Sequence, residues 1–529
     1  MQRRDFVQFV AMTGGYAMTA HSASTGTFDV QEKTVVQLQA AMQAGRTTSQ
    51  QLVQLYLARI AAIDKSGPKL NSIIELNPDA LAIAAALDTE RTAKGPRGLI
   101  HGIPVLLKDN IATADKMQTT AGSLALVGMR PPRDAALVAR LRMAGAVILG
   151  KTNLSEWANM RSTRSTSGWS ARGGLTLNPY ALDRNTSGSS SGSGSSMAAS
   201  LAAVAVGTET DGSITSPASV AGLVGIKPTV GLVSRAGIIP IAHSQDTAGP
   251  MARTVADAAA LLSAMAGSDD RDPATRLAER KELDYTRFLD RKGLQGKRIG
   301  VVRAQLSSSS DLVSALLESQ LAVLEAQGAT LVNVPEVPNA AKYGESELTV
   351  LLYELKADMA TYLFDYGPNA PIKTLADIIA FNEKNAAKEL KFFAQEHFIS
   401  AQSKGGLDSQ EYRDALANNP RYSRAEGIDQ VMAEHQLDAL VAPTCGPAWL
   451  TDFTNGDASG GSFTSPAAVA GYPHITVPCG LVHGLPVGLS FVGWAWSEGP
   501  LIAMAFAYEQ ASLQRRPPTY AKSLNRQAA

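Results

Sequence analysis

The 529-residue sequence is poor in cysteine, histidine and aromatic residues, with two Cys, seven His and 6% aromatics. The seven His and two Cys show none of the short pair spacings that zinc sites need, so no metal site is predicted. Cys445 and Cys479 could form one disulfide or lie buried as thiols, because sequence alone gives no distance. Neither charge is in excess, since 48 Lys and Arg balance 48 Asp and Glu. This balance provides no field that would attract nucleic acid, and no nucleic-acid partner is expected.

Long hydrophobic runs are also missing, and the one moderately apolar stretch lies at the start of the chain. There Arg3 and Arg4 precede Phe6, and small residues occupy Ala20 to Ser24. The stretch resembles a bacterial twin-arginine export signal, and it is too short and interrupted for an ordinary spanning helix. We predict an export signal over residues 1–24 and a periplasmic or secreted protein without stable membrane insertion after export. The alternative is an unused leader on a cytoplasmic protein.

What the sequence does contain is a globular composition, 45% apolar and 18% charged, which can bury a large core. The segment "TTSQQLVQLYLARIAAID" has apolar residues on one helical face, with Thr48 and Gln51 at capping-box spacing. A strand pattern follows in "GLIHGIPVLLKDNI", and "DAALVARLRMAGAVILGK" is typical of a helix, a turn at Gly145 and a strand. This alternation predicts an α/β fold, with a central mixed, twisted β-sheet covered by helices on both faces.

Residues from about 307 to 434 interrupt the alternation, because the pattern there is mostly helical and more charged. Strand patterns return in "LDALVAPT" and in "HITVPCG" with "GLPVGLSFVG". We therefore predict one large domain over residues 30–515, with a mostly helical insertion over 307–434 that packs on the α/β body.

The most unusual segment runs from Thr186 to Ser196, where ten of eleven residues are Ser or Gly. Such a composition is usual for a flexible linker, but this segment continues directly into small helix-forming residues and a buried strand pattern. A phosphate-binding loop needs Lys and then Ser or Thr after the glycines, and Met197 and Ala198 stand there instead. A helix of about 12 residues and a strand of about six have similar lengths, roughly 18 and 20 Å. The first serines should therefore lie near "TDGSIT", as in an active site.

A set of motifs supports the active-site interpretation. The segment "GSSSGSGSS" is followed by "GTETDGSITSPASVAGLVGIKPTVGL" and "SQDTAGPMARTVADAA", with "GIPVLLKDNI" and "GKTNLSEWA" upstream and "SPAAVAGYPHITVPCG" downstream. In this order the motifs resemble the amidase signature family over roughly residues 49–493. The resemblance implies one amidase-signature domain with a catalytic core over about 85–270 and 430–500. It also implies an enzyme that hydrolyses linear amides without a cofactor or a metal.

The family's catalytic group is a Ser–Ser–Lys triad, and the matching residues here are Lys108, Ser189 and Ser213. The resemblance makes Ser213 the nucleophile that forms an acyl-enzyme, Ser189 the bridging hydroxyl and Lys108 the base. A serine hydroxyl is a weak nucleophile until a base removes its proton, and lysine is a base only when burial keeps it neutral. The apolar residues before Lys108 fit such burial. Asp109 follows in the strand and should point to the opposite face.

The resemblance also implies an oxyanion hole, made of the backbone amides of Thr210, Asp211, Gly212 and Ser213. Gly188 would precede Ser189 through a cis peptide bond, and Ser190 would support the site. His101 and His243 are expected to be structural, because this mechanism uses no imidazole.

Two residues beside the nucleophile favour a peptide amide as the substrate. Asp211 and Thr215 stand where most relatives carry Gly and Arg, roughly "GGSIR", and the family's bacterial peptide amidases share this exchange. Those enzymes convert peptide C-terminal amides into acid and ammonia, and the missing arginine fits an amidated C-terminus. The alternatives are an aryl- or fatty-amide hydrolase, the amidase component of the glutamyl-tRNA amidotransferase, or a catalytically silent protein. The leader and the intact triad count against the last two. The helical insertion over residues 307–434, here called the helical region, is expected to shape the substrate entrance. The sequence does not indicate the oligomeric state.

Overall fold

A computed structural model describes residues 28–280, 284–368 and 370–524. The predicted export signal, residues 1–24, lies outside these ranges. Within them, no helix combines the length and the apolar character that crossing a membrane requires.

The strands of the described residues are, in chain order, β1 (Ile73–Leu76), β2 (Pro104–Lys108), β3 (Val147–Thr152), β4 (Trp169–Ser170), β5 (Gly174–Leu175), β6 (Val204–Glu209), β7 (Val224–Lys227), β8 (Thr247–Ala252), β9 (Arg298–Val302), β10 (Thr330–Val334), β11 (Ala439–Pro443), β12 (His474–Val482) and β13 (Leu485–Val492). The α-helices are α1 (Val35–Gln43), α2 (Ser49–Arg59), α3 (Ala80–Lys94), α4 (Ala136–Met143), α5 (Ser191–Ala198), α6 (Thr215–Val220), α7 (Val255–Met265), α8 (Arg303–Ser307), α9 (Asp311–Ala326), α10 (Tyr343–Tyr366), α11 (Leu375–Lys384), α12 (Ala386–Glu389), α13 (Glu396–Ser403), α14 (Gln410–Pro420), α15 (Asp429–Glu434), α16 (Ser465–Ala470) and α17 (Glu498–Ser512).

Eleven of these strands form one sheet in the order β1-β3-β2-β6-β8-β7-β12-β13-β11-β9-β10, and β4 pairs with β5 apart from it. The sheet is mixed. Strands β3, β2 and β6 run parallel, as do β11, β9 and β10, whereas the strands between these groups are antiparallel. The parallel group on one side carries Lys108 at the end of β2.

Helices flank this sheet in two packed groups. Helices α5 and α6 contact each other, with α5 against β2, β3 and β6 and α6 against β7, β12 and β13. Helix α17 contacts both α7 and α9, and these three helices lie against β8 and β12. The predicted α/β architecture, one large domain with a mixed sheet flanked by helices, is confirmed.

The local signals in the sequence fold largely as predicted. Thr48 Oγ1 accepts the Gln51 N–H, and Gln51 Oε1 accepts the Thr48 N–H, each at 3.1 Å, which completes the capping box of α2. Strands β2 and β3 are buried along their whole length. The helix after the Ser/Gly segment is shorter than predicted, because α5 has 8 residues and begins at Ser191.

Helix α5 begins within the Ser/Gly segment because serine hydroxyls satisfy nearby carbonyl groups. Ser191 Oγ donates to Ser187 O at 2.7 Å, and Ser193 Oγ donates to Val206 O at 3.1 Å. A Cβ at Gly192 would lie only 2.3 Å from the backbone oxygen of Ser72. The absence of side chains there therefore allows the buried helix to approach its neighbours closely.

The segment 307–434 differs from its prediction in one element. It is mostly helical, but it contains β10, which pairs parallel with β9 and extends the edge of the sheet. The alternation in "TLVNV" was hidden between two strongly helical patterns. The longest helix of the segment, α10, packs against α13 and α14.

The two cysteines are buried as free thiols, so the thiol interpretation was correct and the disulfide was not. Burial raises the pKa of the Cys445 thiol to about 11. Both residues therefore contribute to the core as small apolar side chains.

Candidate active site

Lys108 is the last residue of β2 and is completely buried. Its Nζ lies 2.7 Å from Ser189 Oγ, 2.9 Å from Thr208 Oγ1 and 3.2 Å from Thr208 O. Burial lowers the pKa of Lys108 to about 7, although the negative charges of Asp246 and Glu209 act in the opposite direction. A substantial fraction of this amine is therefore neutral near pH 7.

Asp109 points away from Lys108, as the alternation along a strand predicts. Its Oδ2 accepts hydrogen bonds from Thr120 Oγ1 at 2.5 Å and from the Gly122 N–H at 3.3 Å, and Arg172 lies 3.4 Å away. Asp109 therefore forms its own network on the opposite face of β2, and Lys108 has no ion-pair partner among the described residues.

The peptide bond between Gly188 and Ser189 is cis, in agreement with the prediction. A Cβ at Gly188 would lie 2.2 Å from Ser155 Oγ, so the packing excludes any side chain there. The Ser155 N–H donates to Ser189 O at 3.1 Å. These contacts fix Ser189, which is fully buried, with its hydroxyl directed toward Lys108.

Ser190 joins the two segments that carry the predicted serines. Its N–H donates to Ser213 O at 3.1 Å, and its Oγ donates to Thr208 O at 3.1 Å. The Thr208 N–H donates back to Ser190 Oγ at 3.2 Å. The expected closeness of the first serines to "TDGSIT" is thus observed, even though α5 is shorter than the prediction.

The turn that carries Ser213 follows β6, and Glu209 at the end of that strand fixes it. Glu209 Oε2 accepts the N–H groups of Ile214 at 2.7 Å and Thr215 at 2.9 Å, at the start of α6. Gly212 adopts a left-handed backbone conformation with φ +74°, which glycine adopts without steric cost. Ser213 is 8% exposed, so its hydroxyl is near the surface of a cavity rather than deep in the core.

The same turn carries unused hydrogen-bond donors. In the part of the chain that the structure describes, the backbone N–H groups of Asp211, Gly212 and Ser213 donate to no protein acceptor. Buried backbone amides are normally paired. Adjacent free amides can bind an oxygen atom that develops negative charge.

Ser189 and Ser213 line a common cavity of about 240 Å³, including its space open to solvent. Its other lining residues are Asn110, Ala158, Thr208, Thr210, Ile238, Ile239, Ile241 and Asp246. Among the described residues, no hydrogen bond joins the two serine hydroxyls directly. The cavity therefore combines two hydroxyls, a buried amine behind them and an apolar isoleucine wall.

A family model described as Amidase matches residues 51–502 of this chain. The chain belongs to the amidase signature family. A "probable amidase" of Arabidopsis thaliana is 44% identical over 523 residues, which cover 97% of this chain and 96% of that protein. One component of the glutamyl-tRNA(Gln) amidotransferase of Thermosynechococcus vestitus is 35% identical over 484 residues, 87% of this chain and 94% of that protein.

Solved structures agree with this assignment. The native peptide amidase from Stenotrophomonas maltophilia superimposes with a TM-score of 0.89 at 54% identity, over 93% of this chain and 99% of that chain. The protein is therefore an amide-hydrolysing enzyme with the amidase fold.

Several residues of the amidase's cavity were not identified from the sequence. Thr208 accepts hydrogen bonds from Lys108, and Asp246 lines the cavity and accepts the Thr210 hydroxyl. The alternation along β6 contained one usable signal, because Thr208 and Thr210 lie two residues apart and so share a face. No comparable signal pointed to Asp246.

The two histidines named from the sequence lie outside the cavity. His101 is buried, and its Nε2 lies 3.0 Å from Leu87 O, as expected for a structural residue. His243 is partly exposed and contacts Asp358 of α10.

Proposed function

We propose that this amidase hydrolyses the C-terminal carboxamide of peptides to a carboxylic acid and ammonia. Ser213 is the nucleophile, Ser189 relays its proton and Lys108 is the base. The observation that carries the proposal is the 2.7 Å contact of Ser189 Oγ with a buried lysine whose pKa is about 7, beside the cavity that Ser189 shares with Ser213.

The three contacts of Lys108 suit both protonation states, because Nζ can donate to all three oxygens as an ammonium and can keep two of these donations as a neutral amine. A neutral amine has two N–H donors and one lone pair, whereas an ammonium has three donors and no acceptor. The two donors fit Thr208 O and Thr208 Oγ1, and the lone pair then faces the hydroxyl of Ser189. In this state Ser189 donates to Lys108 and can accept the proton of Ser213.

In the acylation step, Ser213 Oγ attacks the amide carbon while its proton passes to Ser189 and the proton of Ser189 passes to Lys108. The carbonyl oxygen becomes an oxyanion at the free amides of Asp211, Gly212 and Ser213. The C–N bond then breaks, and the leaving nitrogen takes a proton back through the same relay and departs as ammonia. Water attacks the acyl-enzyme in the second half, which frees the acid and Ser213. The serine hydroxyls must close on each other during this sequence, as catalytic hydrogen bonds commonly do when substrate binds.

The preference for peptide amides is supported by two observations. The peptide amidase of Stenotrophomonas maltophilia shares 54% of the aligned residues. In addition, Thr215 stands where an arginine is usual, and its Oγ1 donates to Glu209 Oε2 at 3.1 Å. Its side chain therefore places no cation beside the nucleophile that would favour a free carboxylate.

Ammonia release from a panel of substrates tests the proposal. Purified protein is incubated with peptide amides, free amino-acid amides, aryl amides and fatty amides, and we expect the peptide amides to give the highest kcat/KM. Ser213→Ala should lower the rate by about 10⁴-fold or more. Ser195→Ala is the matched control, because that serine lies in the same cluster but donates to Leu177 O. Faster turnover of fatty or aryl amides would reject the peptide preference, and equal rates for Ser213→Ala and wild type would reject the nucleophile.

A further inference from the structure

The segment from Ile238 to Asp246, here called the cavity loop, forms one wall of the catalytic cavity. Ile238, Ile239, Ile241 and Asp246 all line that cavity. The residues between them, from His243 to Gln245, contact α10 of the helical region instead. The cavity loop therefore lies between the reacting groups and α10.

Three consecutive residues of the cavity loop are each held by one carboxylate of α10. The hydrogen bonds run from the His243 N–H to Asp358 Oδ2 at 2.9 Å, from the Ser244 N–H to Glu354 Oε2 at 2.9 Å, and from Gln245 Nε2 to Glu347 Oε1 at 2.9 Å. The three acidic residues are seven and four positions apart, so they share one face of the helix. We call them the carboxylate face.

The carboxylate face is a costly arrangement for a surface with only a packing role. Glu354 and Glu347 are buried, and burial together with the charge of Asp211 raises the pKa of Glu347 to about 8, so near neutral pH Glu347 is largely protonated. A buried acidic side chain destabilises a fold unless it is paired or hydrogen-bonded. Glu354 also accepts the Tyr412 hydroxyl at 2.7 Å. The His243 ring lies with Nδ1 2.9 Å from Asp358 and Nε2 3.4 Å from Glu354, and these carboxylates raise the pKa of His243. The ring thus adds a charged contact to the backbone hydrogen bond.

At its other end the cavity loop carries Asp246. Asp246 Oδ2 accepts the N–H groups of Ile241 at 2.8 Å and Ala242 at 3.0 Å, and Oδ1 accepts the Thr210 hydroxyl at 2.5 Å. Thr210 begins the turn that carries Ser213. Asp246 is also one of two carboxylates whose charge favours the ammonium form of Lys108, the other being Glu209.

We propose that Glu347, Glu354 and Asp358 are positioning residues that fix the cavity loop and, through it, Asp246 beside the reacting groups. The inference deepens the proposed function, since it rests on Lys108 as the base of the same site. It gives the helical region a role in the rate of the reaction as well as in the stability of the fold.

A displaced Asp246 has a consequence that simple loss of packing does not have. Asp246 itself faces Lys108, Arg235 and Asp358, and His243 faces Arg235, Asp358 and Glu354. When the carboxylate of Asp246 moves away or is removed, only Glu209 still favours the ammonium form of Lys108. The pKa of Lys108 then falls. As a result, the acidic limb of the pH–rate profile, which is the pH range where kcat/KM falls because the base becomes protonated, moves to lower pH.

The test compares pH profiles of kcat/KM, measured by ammonia release on the amide that the wild type hydrolyses fastest. Asp246→Asn should move the acidic limb down by about 1 pH unit. Asparagine can keep the contacts, because its oxygen can accept the two N–H groups and its amide nitrogen can donate to Thr210 Oγ1. His243→Ala and Asp358→Asn should move the limb in the same direction by less, with kcat/KM lowered by about tenfold.

Glu411→Gln is the matched control for these variants. Glu411 contacts Lys404 at 2.5 Å and the Tyr353 hydroxyl of α10 at 2.6 Å, so it binds α10 beside Glu354 but, among the described residues, has no hydrogen bond to the cavity loop. We expect no shift of the limb for this variant. The proposal is overturned if His243→Ala and Asp358→Asn lower the thermal stability but leave the limb and kcat/KM at wild-type values. It is also overturned if Glu411→Gln shifts the limb as much as they do.

Failure of the proposed function would look different. A wrong peptide preference changes only which amide is used in the assay. If Lys108 is not the base, the wild type itself lacks the acidic limb, and this inference falls with that assignment. Failure of the inference alone leaves the wild-type limb in place and shows only in the variants.

Discussion

The α/β core and the helical region meet beside the candidate active-site cavity and contribute to it differently. The core supplies the proposed reacting groups from places that its sheet brings together, because β2 and β6 are parallel neighbours and therefore end at the same edge. Lys108 ends β2, and Ser213 lies in the turn after β6. Among the described residues that line the cavity, none comes from residues 307–434. The helical region reaches the site through hydrogen bonds to the cavity loop, and Glu347 of α10 also interacts electrostatically with Asp211 in the turn that carries Ser213. In our proposal, chemistry and positioning belong to separate segments.

The sharpest test of this comparison removes the proposed base, Lys108, from the core. Lys108→Met keeps an apolar stem in a fully buried position but has no amine to accept the proton of Ser189, so we expect kcat/KM to fall by about 10³-fold or more on every amide. Lys151→Met is the control, because Lys151 is a buried lysine on the neighbouring β3 whose Nζ contacts Ile111 O and Thr119 Oγ1 instead.

We expect Lys151→Met to retain activity within about tenfold of wild type, since its main effect should be a loss of stability. Steady-state ammonia release, with circular dichroism to verify folding, measures both variants. Equal losses in the two would mean that Lys108 acts through the packing of the sheet rather than as a base.

A second test uses pH on the unaltered protein. Because the pKa of Lys108 is about 7 and only its neutral form can act as the base, kcat/KM should fall about tenfold for each pH unit below that value. Because burial lowers this pKa, the pH at which kcat/KM begins to fall measures how strongly the core desolvates Lys108. Undiminished kcat/KM at pH 5, on protein shown to be folded there, would contradict a lysine base.

Much of the core could be predicted because its signals are local. The strand ending in Lys108, the capping box at Thr48 and the closeness of the Ser/Gly segment to Ser213 all depend on residues near one another in the chain. The bounds of α5 could not be predicted, because its serines and glycines favour a helix only when buried carbonyls and tight neighbours surround them. Propensity alone ranks such residues as poor helix formers.

The contribution of the helical region could not be predicted for a different reason. The pairs that join α10 to the cavity loop are 102, 110 and 115 residues apart in the chain. In the sequence, Glu347, Glu354 and Asp358 look like the charged face of a solvated helix, and nothing near them indicates that a loop of the core covers them. Likewise, Asp246 stands in a motif that supported the family assignment without revealing which atoms its carboxylate holds.

The variant with the smallest expected effect distinguishes the two roles of the helical region, which are positioning of the cavity loop and stability of the fold. Thr374 caps α11, where its Oγ1 accepts the Asp377 N–H at 3.2 Å and the Asp377 carboxylate accepts the Thr374 N–H at 3.0 Å. Thr374→Ala should lower the free energy of unfolding by about 1 kcal/mol, whereas Thr374→Ser, which keeps the capping hydroxyl, should leave it close to the wild-type value. Because this cap lies outside the carboxylate face, kcat/KM and the acidic limb should stay at wild-type values. If Thr374→Ala instead lowered kcat/KM as much as His243→Ala, general loosening of the helical region would explain both, and the carboxylate face would have no special role.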